Sequence, residues 1–147
     1  EPFVKNKNIF FIGKGIDNVT AQEGALKFKE ITCKFADAYG AGELKHGSIA
    51  LVDDKSVAYV IATNTRDQDR VNAAIKELQS RGAYVYAIGV SDNLCADKTY
   101  VLPKVNDENL YPILSVIPLQ NLALTASLCL GLNPDKPRNL AKSVTVI

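Results

Sequence analysis

The chain has no methionine and no tryptophan, one histidine, three cysteines, and one more positive charge than negative. Each shortage closes a class of function. With His46 as the single histidine, no metal motif built on a histidine pair is available. Cys33, Cys95 and Cys129 are odd in number, far apart and set among apolar residues. That argues against a disulfide framework and a zinc site, and it suits a reducing, cytoplasmic compartment. A net charge of +1 supplies no surplus of Lys and Arg for a nucleic-acid backbone or an anionic membrane. The longest apolar stretch, 113–132, is interrupted by Pro118, Gln120 and Asn121, so it reads as a buried helix and not as a membrane span. The start at Glu1, with neither Met nor a charged-then-apolar leader, reads as a piece excised from a longer chain.

What is present suffices for one globular domain, since 147 residues with 47% hydrophobic and 22% charged side chains can close a core. Short β-branched and aromatic runs alternate with amphipathic stretches. That order predicts a parallel sheet covered on both faces, an α/β three-layer sandwich over 1–147. Strands are expected over 8–13, 57–63, 84–89 and 99–105, and helices over 19–34, 67–81 and 110–130. Gly82 stops the second helix, and Gly131 with Pro134 stops the third. Asp17 or Asn18 suits the cap of the first helix, and Thr65 or Asp67 that of the second. The stretch 39–47 reads as a glycine-rich connection, and the tail 137–147 has no assigned place on the sheet.

In open parallel sheets, ligands gather beyond the carboxyl ends of the strands, which directs attention to 13–17, 63–67 and 89–93. Gly13-Lys14-Gly15 has Asn18 where a dinucleotide fingerprint needs a third glycine, so it reads as a tight strand-to-helix turn. The run from Thr63 to Asp67 could offer hydroxyls and amides to a phosphate, yet it has no glycine, and Asp67 and Asp69 would repel an anion. On the first helix Glu23, Lys27 and Glu30 share one face, while Ala21, Ala25, Phe28, Thr32 and Phe35 form the opposite, core-facing stripe. Glu23 and Lys27 suit an ordinary surface pair; a carboxylate beside an ammonium also suits proton transfer on a sugar. His46 fits either an exposed loop residue or an acid–base group near neutral pH. Lys142 is either an unremarkable terminal lysine or, held against apolar neighbours, an amine able to form an imine with a ketone.

Three segments taken together narrow these alternatives: 23–31 (EGALKFKEI), 42–47 (GELKHG) and 137–146 (PRNLAKSVTV). In order and spacing they resemble signature segments of the glucosamine-6-phosphate synthases, across essentially the whole chain. The resemblance implies the second of two sugar-isomerase (SIS) subdomains, preceded by a first that carries a Ser and Thr phosphate loop, and by a glutaminase domain that releases ammonia. It implies conversion of fructose 6-phosphate to glucosamine 6-phosphate in a homodimer, with no metal or redox cofactor. By the same resemblance, Glu30 is the base that moves a proton between C1 and C2, and Lys27 assists it. His46 reaches the neighbouring subunit's site and helps open the sugar ring. Lys142 meets the ketose carbonyl as a Schiff base, and Ala141 contacts the sugar through its backbone. Gln22, Phe28 and Ile147 stand where the family commonly has Leu, a smaller aliphatic and Glu. These departures leave room for a related amidotransferase or deaminase with another sugar. A phosphosugar-binding SIS module is another reading, with no reason to keep Glu30, His46 and Lys142 together, and a catalytically idle dimerisation domain is a third.

Overall fold

The computed structural model describes residues 8–141; Lys142 and the end of the tail lie outside them. Five strands form one sheet: β1 (Ile9–Gly13), β2 (Asp37–Gly40), β3 (Val57–Ala62), β4 (Tyr84–Gly89) and β5 (Lys98–Val101), in the order β2-β1-β3-β4-β5. Every neighbouring pair is parallel. The helices are α1 (Ile16–Thr32), α2 (Gln68–Gln79) and α3 (Tyr111–Cys129).

The two central strands explain the layering. β1 reads IFFIG and β3 reads VAYVIA, buried at every position, as strands covered on both faces must be. Because side chains alternate across a strand, these residues divide between two cores. Phe11, Tyr59 and Ile61 meet Ala25 and Phe28 of α1 and Leu119 and Ala123 of α3. Phe10, Ile12 and Val60 meet Val71, Ile75 and Leu78 of α2. The sandwich expected from the alternation of segments is therefore present, with α1 and α3 on one face and α2 on the other.

Glycine decides two close approaches. A side chain at Gly13 would place its Cβ 2.3 Å from the Asp17 backbone, so only glycine lets β1 turn this sharply into α1. As a result α1 begins at Ile16, three residues before the expected start. At Gly24 a Cβ would come within 2.7 Å of the Leu119 side chain, so the missing methyl lets α3 lie directly on α1.

Several expectations need correction. Asp37–Gly40 forms an edge strand although 39–47 reads as a connection. Strand β5 ends at Val101, well short of 105, as Pro103 removes the donor a continuing ladder would need. The second helix is led by a tight turn, Thr65–Asp67, capped by Asn64, whose side chain accepts the Arg66 N–H; the helix proper starts at Gln68. Phe35 does not join the core. Helix α1 stops at Thr32 with Cys33 in a left-handed conformation, the helical period is lost, and Phe35 is 68% exposed. Helix α3 is buried only along Tyr111, Ser115, Leu119, Ala123, Ala126 and Ser127, while Ile113, Ile117, Leu124 and Leu128 face outward. With its leading turn it is long and apolar enough to cross a membrane, but its inner stripe packs on α1. All three cysteines are free and exposed despite their apolar neighbours in sequence.

Candidate functional site

The outer face of α1 carries the first cluster. Lys27 Nζ donates to Glu30 Oε2 at 2.7 Å and stands 3.8 Å from Glu23 Oε1. The i,i+3 partner thus holds the ammonium more closely than the i,i+4 partner that the sequence favours as a surface pair. Lys27 and Glu30 each keep about a third of their side chain exposed. The hydrogen bond it donates to Glu30 holds the Lys27 ammonium above the usual lysine range; partial burial opposes this, and the charges of Glu30 and Glu23 add to it. A carboxylate fixed by a permanently charged neighbour and open to solvent can take up and return a proton.

The pair does not sit on an ordinary polar surface. Ile16, Val19 and Leu26 share its face of α1 at helical spacing and are 55%, 58% and 43% exposed. Helix α3, packed alongside, adds outward-facing Ile113, Ile117, Leu124 and Leu128. These exposed large apolar side chains run along the outer side of α1 and α3, from the strand-end side at Ile16 and Ile113 past Leu26 toward the ion pair.

His46 lies elsewhere. It ends a short turn, Leu44–His46, anchored by buried Leu44 in the core on the α2 face and by Lys45 Nζ, 3.3 Å from Glu77 of α2. His46 itself is exposed, and its backbone N–H donates to the Glu43 carbonyl at 3.0 Å. The sheet separates this layer from α1, so the structure does not bring His46 together with Lys27 and Glu30. Ala141, the last described residue, is exposed. The start of the tail passes the end of α1: Leu132, Asn133, Lys136 and Arg138 share a hollow of about 250 Å³ with Ile31, Thr32 and Cys33, next to Glu30 in sequence. A larger hollow of about 490 Å³, between Lys14, Gly40, Glu43, Arg70 and Glu77, contains none of Lys27, Glu30 or His46.

A family model, the SIS domain, matches residues 3–130. The chain belongs to the SIS domain family. It is 46% identical over 145 residues to a glutamine–fructose-6-phosphate aminotransferase [isomerizing] of Clostridium acetobutylicum, and 50% identical over 142 residues to one of Buchnera aphidicola. These matches cover 96% and 95% of the chain but only 24% and 23% of the relatives, so the chain spans about a quarter of their length. Among solved structures it resembles the C-terminal domain of glucosamine-fructose-6-phosphate aminotransferase from Francisella tularensis, with TM-score 0.82 and 31% identity over 90% of this chain and 38% of that one. It also resembles a glucosamine-6-phosphate deaminase from Thermotoga maritima, with TM-score 0.77 and 28% identity over 97% of this chain and 41% of that one.

One residue of the SIS domain has a place that sequence reasoning missed. Asp17 is not a helix cap: Gly15 holds the cap position, and no side chain caps α1. The Asp17 carboxylate is 2% exposed and turned toward the end of β3. Its Oδ2 accepts the Thr63 N–H at 2.8 Å and the Asn64 N–H at 3.4 Å, while Oδ1 accepts the Thr63 hydroxyl at 2.5 Å. Burial pushes the carboxyl above the usual carboxylate range; the three donors pull the other way, and the charge of Asp67 adds to the rise. An acid in the first turn after Gly-Lys-Gly, with a threonine at the end of another strand, was the only available signal. Asp67, expected to repel anions, is itself neutralised by Lys14 at 2.7 Å.

Proposed function

We propose that this SIS domain supplies the proton-transfer residues of the isomerase site in a longer, cytoplasmic glutamine–fructose-6-phosphate aminotransferase, which acts as a homodimer. The observation that carries this reading is Glu30 held by Lys27 at 2.7 Å on an uncovered face of α1, in a chain whose relatives bear that name. In the reaction the Lys142 amine condenses with the ketone of open-chain fructose 6-phosphate and expels water. Ammonia released from glutamine then displaces the lysine and leaves the C2 imine. Glu30 takes a proton from C1 and returns one to C2 while the C1 hydroxyl proton passes to the imine nitrogen, so that the imine becomes a 2-amino aldose, glucosamine 6-phosphate. Lys27 holds the carboxylate in place and steadies its charge, the Ala141 backbone contacts the sugar, and His46 of the other subunit assists ring opening. The exposed apolar residues along this side of α1 and α3 support a site closed by the rest of the longer chain, where the phosphate group is held.

The test is Glu30→Gln in the full-length enzyme. Turnover of fructose 6-phosphate and glutamine should fall by about two to four orders of magnitude, with little change in KM for the sugar. A loss under about threefold would return Glu30 to an ordinary surface pair. The likeness to the Thermotoga maritima deaminase supports a second reading, the reverse reaction on the same carbons. Ammonia release from glucosamine 6-phosphate, with no synthesis from glutamine, would select it.

A further inference from the structure

The order β2-β1-β3-β4-β5 reverses direction between β1 and β3, and at such a reversal open parallel sheets form the crevice in which ligands settle. The donors suited to a phosphate there are the Thr63 N–H, the Thr63 hydroxyl and the Asn64 N–H. All three are taken by the two oxygens of Asp17, at 2.8, 2.5 and 3.4 Å. Thr63 is itself 6% exposed, so these groups have no ready exchange with solvent. A hollow of about 360 Å³ opens beside them, lined by Ile16, Thr63, Asn64, Glu108, Asn109 and Tyr111 and lacking any Lys or Arg in its wall.

We propose that Asp17 sets the specificity of this crevice: its carboxylate occupies the anion position that Thr63 and Asn64 would otherwise offer, and so bars phosphate groups from the domain's own strand-end site. The carboxylate stands where a phosphate would, two oxygens meeting the three donors. To enter, a phosphate must evict a buried carboxylate and leave it without hydrogen bonds, at a cost comparable to that of any unpaired buried charge. Glu108 on the rim adds like-charge repulsion. The turn that only Gly13 permits fixes Asp17 in this position, so the block belongs to the fold. Any phosphosugar handled by Glu30 must then be anchored outside this domain. The inference does not depend on Glu30 being the base, and its test reads phosphate binding, not turnover.

The experiment titrates the 15N-labelled chain with inorganic phosphate at constant ionic strength and follows the Thr63 and Asn64 amides by NMR. In the wild type these amides should not respond saturably. Asp17→Ser frees the donors, and its amides should titrate at least about tenfold more tightly than any wild-type response. Asp17→Ala also removes both side-chain oxygens and should show the same gain; it decides the matter if the serine variant does not fold. Saturable shifts at Thr63 and Asn64 in the wild type would overturn the proposal. So would folded Asp17 variants whose amides stay silent.

Discussion

Gly24 lies where α1 and α3 touch, and a methyl placed there would stand 2.7 Å from Leu119 Cδ1 and 3.2 Å from the Phe11 ring. Leu119 is 1% exposed and Phe11 0%, so neither has free space to retreat into. Gly24→Ala sets two effects against each other. Replacing glycine inside a helix gains about 0.8–1 kcal/mol. Forcing a methyl into a filled core costs about 1–3 kcal/mol, because Leu119 must yield by about 1 Å to restore normal carbon contact. Overpacking should win, with a net loss of about 1 kcal/mol and a fall in Tm of about 2–4 °C for a chain of this size. Leu119→Ala alone should cost about 2–5 kcal/mol. In that background the clash is gone, and Gly24→Ala should stabilise by up to about 1 kcal/mol. The sign of one substitution thus reverses with the state of the other, which a double-mutant cycle in urea reads directly, provided m is unchanged. If Gly24→Ala has the same sign in both backgrounds, α1 and α3 are not held in contact through Leu119, and the account of their packing fails.

The raised pKa of Asp17 makes a prediction whose sign can be checked. The native carboxyl holds its proton more tightly than an unfolded one near 3.8, so its contribution to stability is complete below that pH and is lost as pH rises through the folded value. Wild-type stability relative to Asp17→Asn should therefore decline as pH climbs from about 3.8 and then level off; the opposite slope would mean that the Thr63 and Asn64 donors outweigh burial. Subunit mixing tests the placing of His46 in the neighbour's site. Inactive full-length His46→Ala and Glu30→Gln proteins, allowed to exchange, should form heterodimers in about half the molecules, each with one intact site in two. Activity should then recover to about a quarter of wild type. Heterodimers seen by native mass spectrometry without recovery would place His46 in its own chain's site or in a structural role.

How much of this could be read from sequence depends on which residues signal through periodicity. The sandwich was readable because Ile9 to Gly13 and Val57 to Ala62 are continuous apolar runs, a pattern that only doubly covered strands produce at that length. β2 was not, because Asp37-Ala38-Tyr39-Gly40 is an edge strand whose only partner among the described residues is β1, and no apolar run marks it. The shared face of Lys27 and Glu30 followed from helical spacing, whereas the choice of Glu30 over Glu23 as the close partner depends on rotamers that no sequence states. Phe35 and α3 failed in the same way: their composition is core-like, but a left-handed Cys33 turns the chain in one case, and in the other only one side of the helix packs on α1, leaving side chains exposed. Asp17 was hidden because its partners, Thr63 and Asn64, are more than forty residues away and meet it only once the sheet has formed.

The positions of these groups along the fold restrict how they can act together. Helix α1 leaves the carboxyl end of β1 at Ile16 and runs back along the sheet, so Glu30, fourteen residues further on, stands about 21 Å from the strand ends at 1.5 Å per residue. The strand-end crevice that α/β folds ordinarily use is thus remote from Glu30, and Asp17 already fills its donor set. His46 follows the carboxyl end of β2, on the layer of α2, with the sheet between it and α1. One sugar phosphate cannot touch Glu30 and His46 of the same chain across that sheet. For both residues to act on a single substrate, the site must be assembled from different units: Glu30 projected from an exposed apolar face onto a sugar that another domain anchors, and His46 contributed by a second copy. Exposed Leu26 near the ion pair, with Ile16, Val19, Ile113 and Ile117 further along the same side toward the strand ends, fits this arrangement, because an element laid along that side would cover Glu30 together with them.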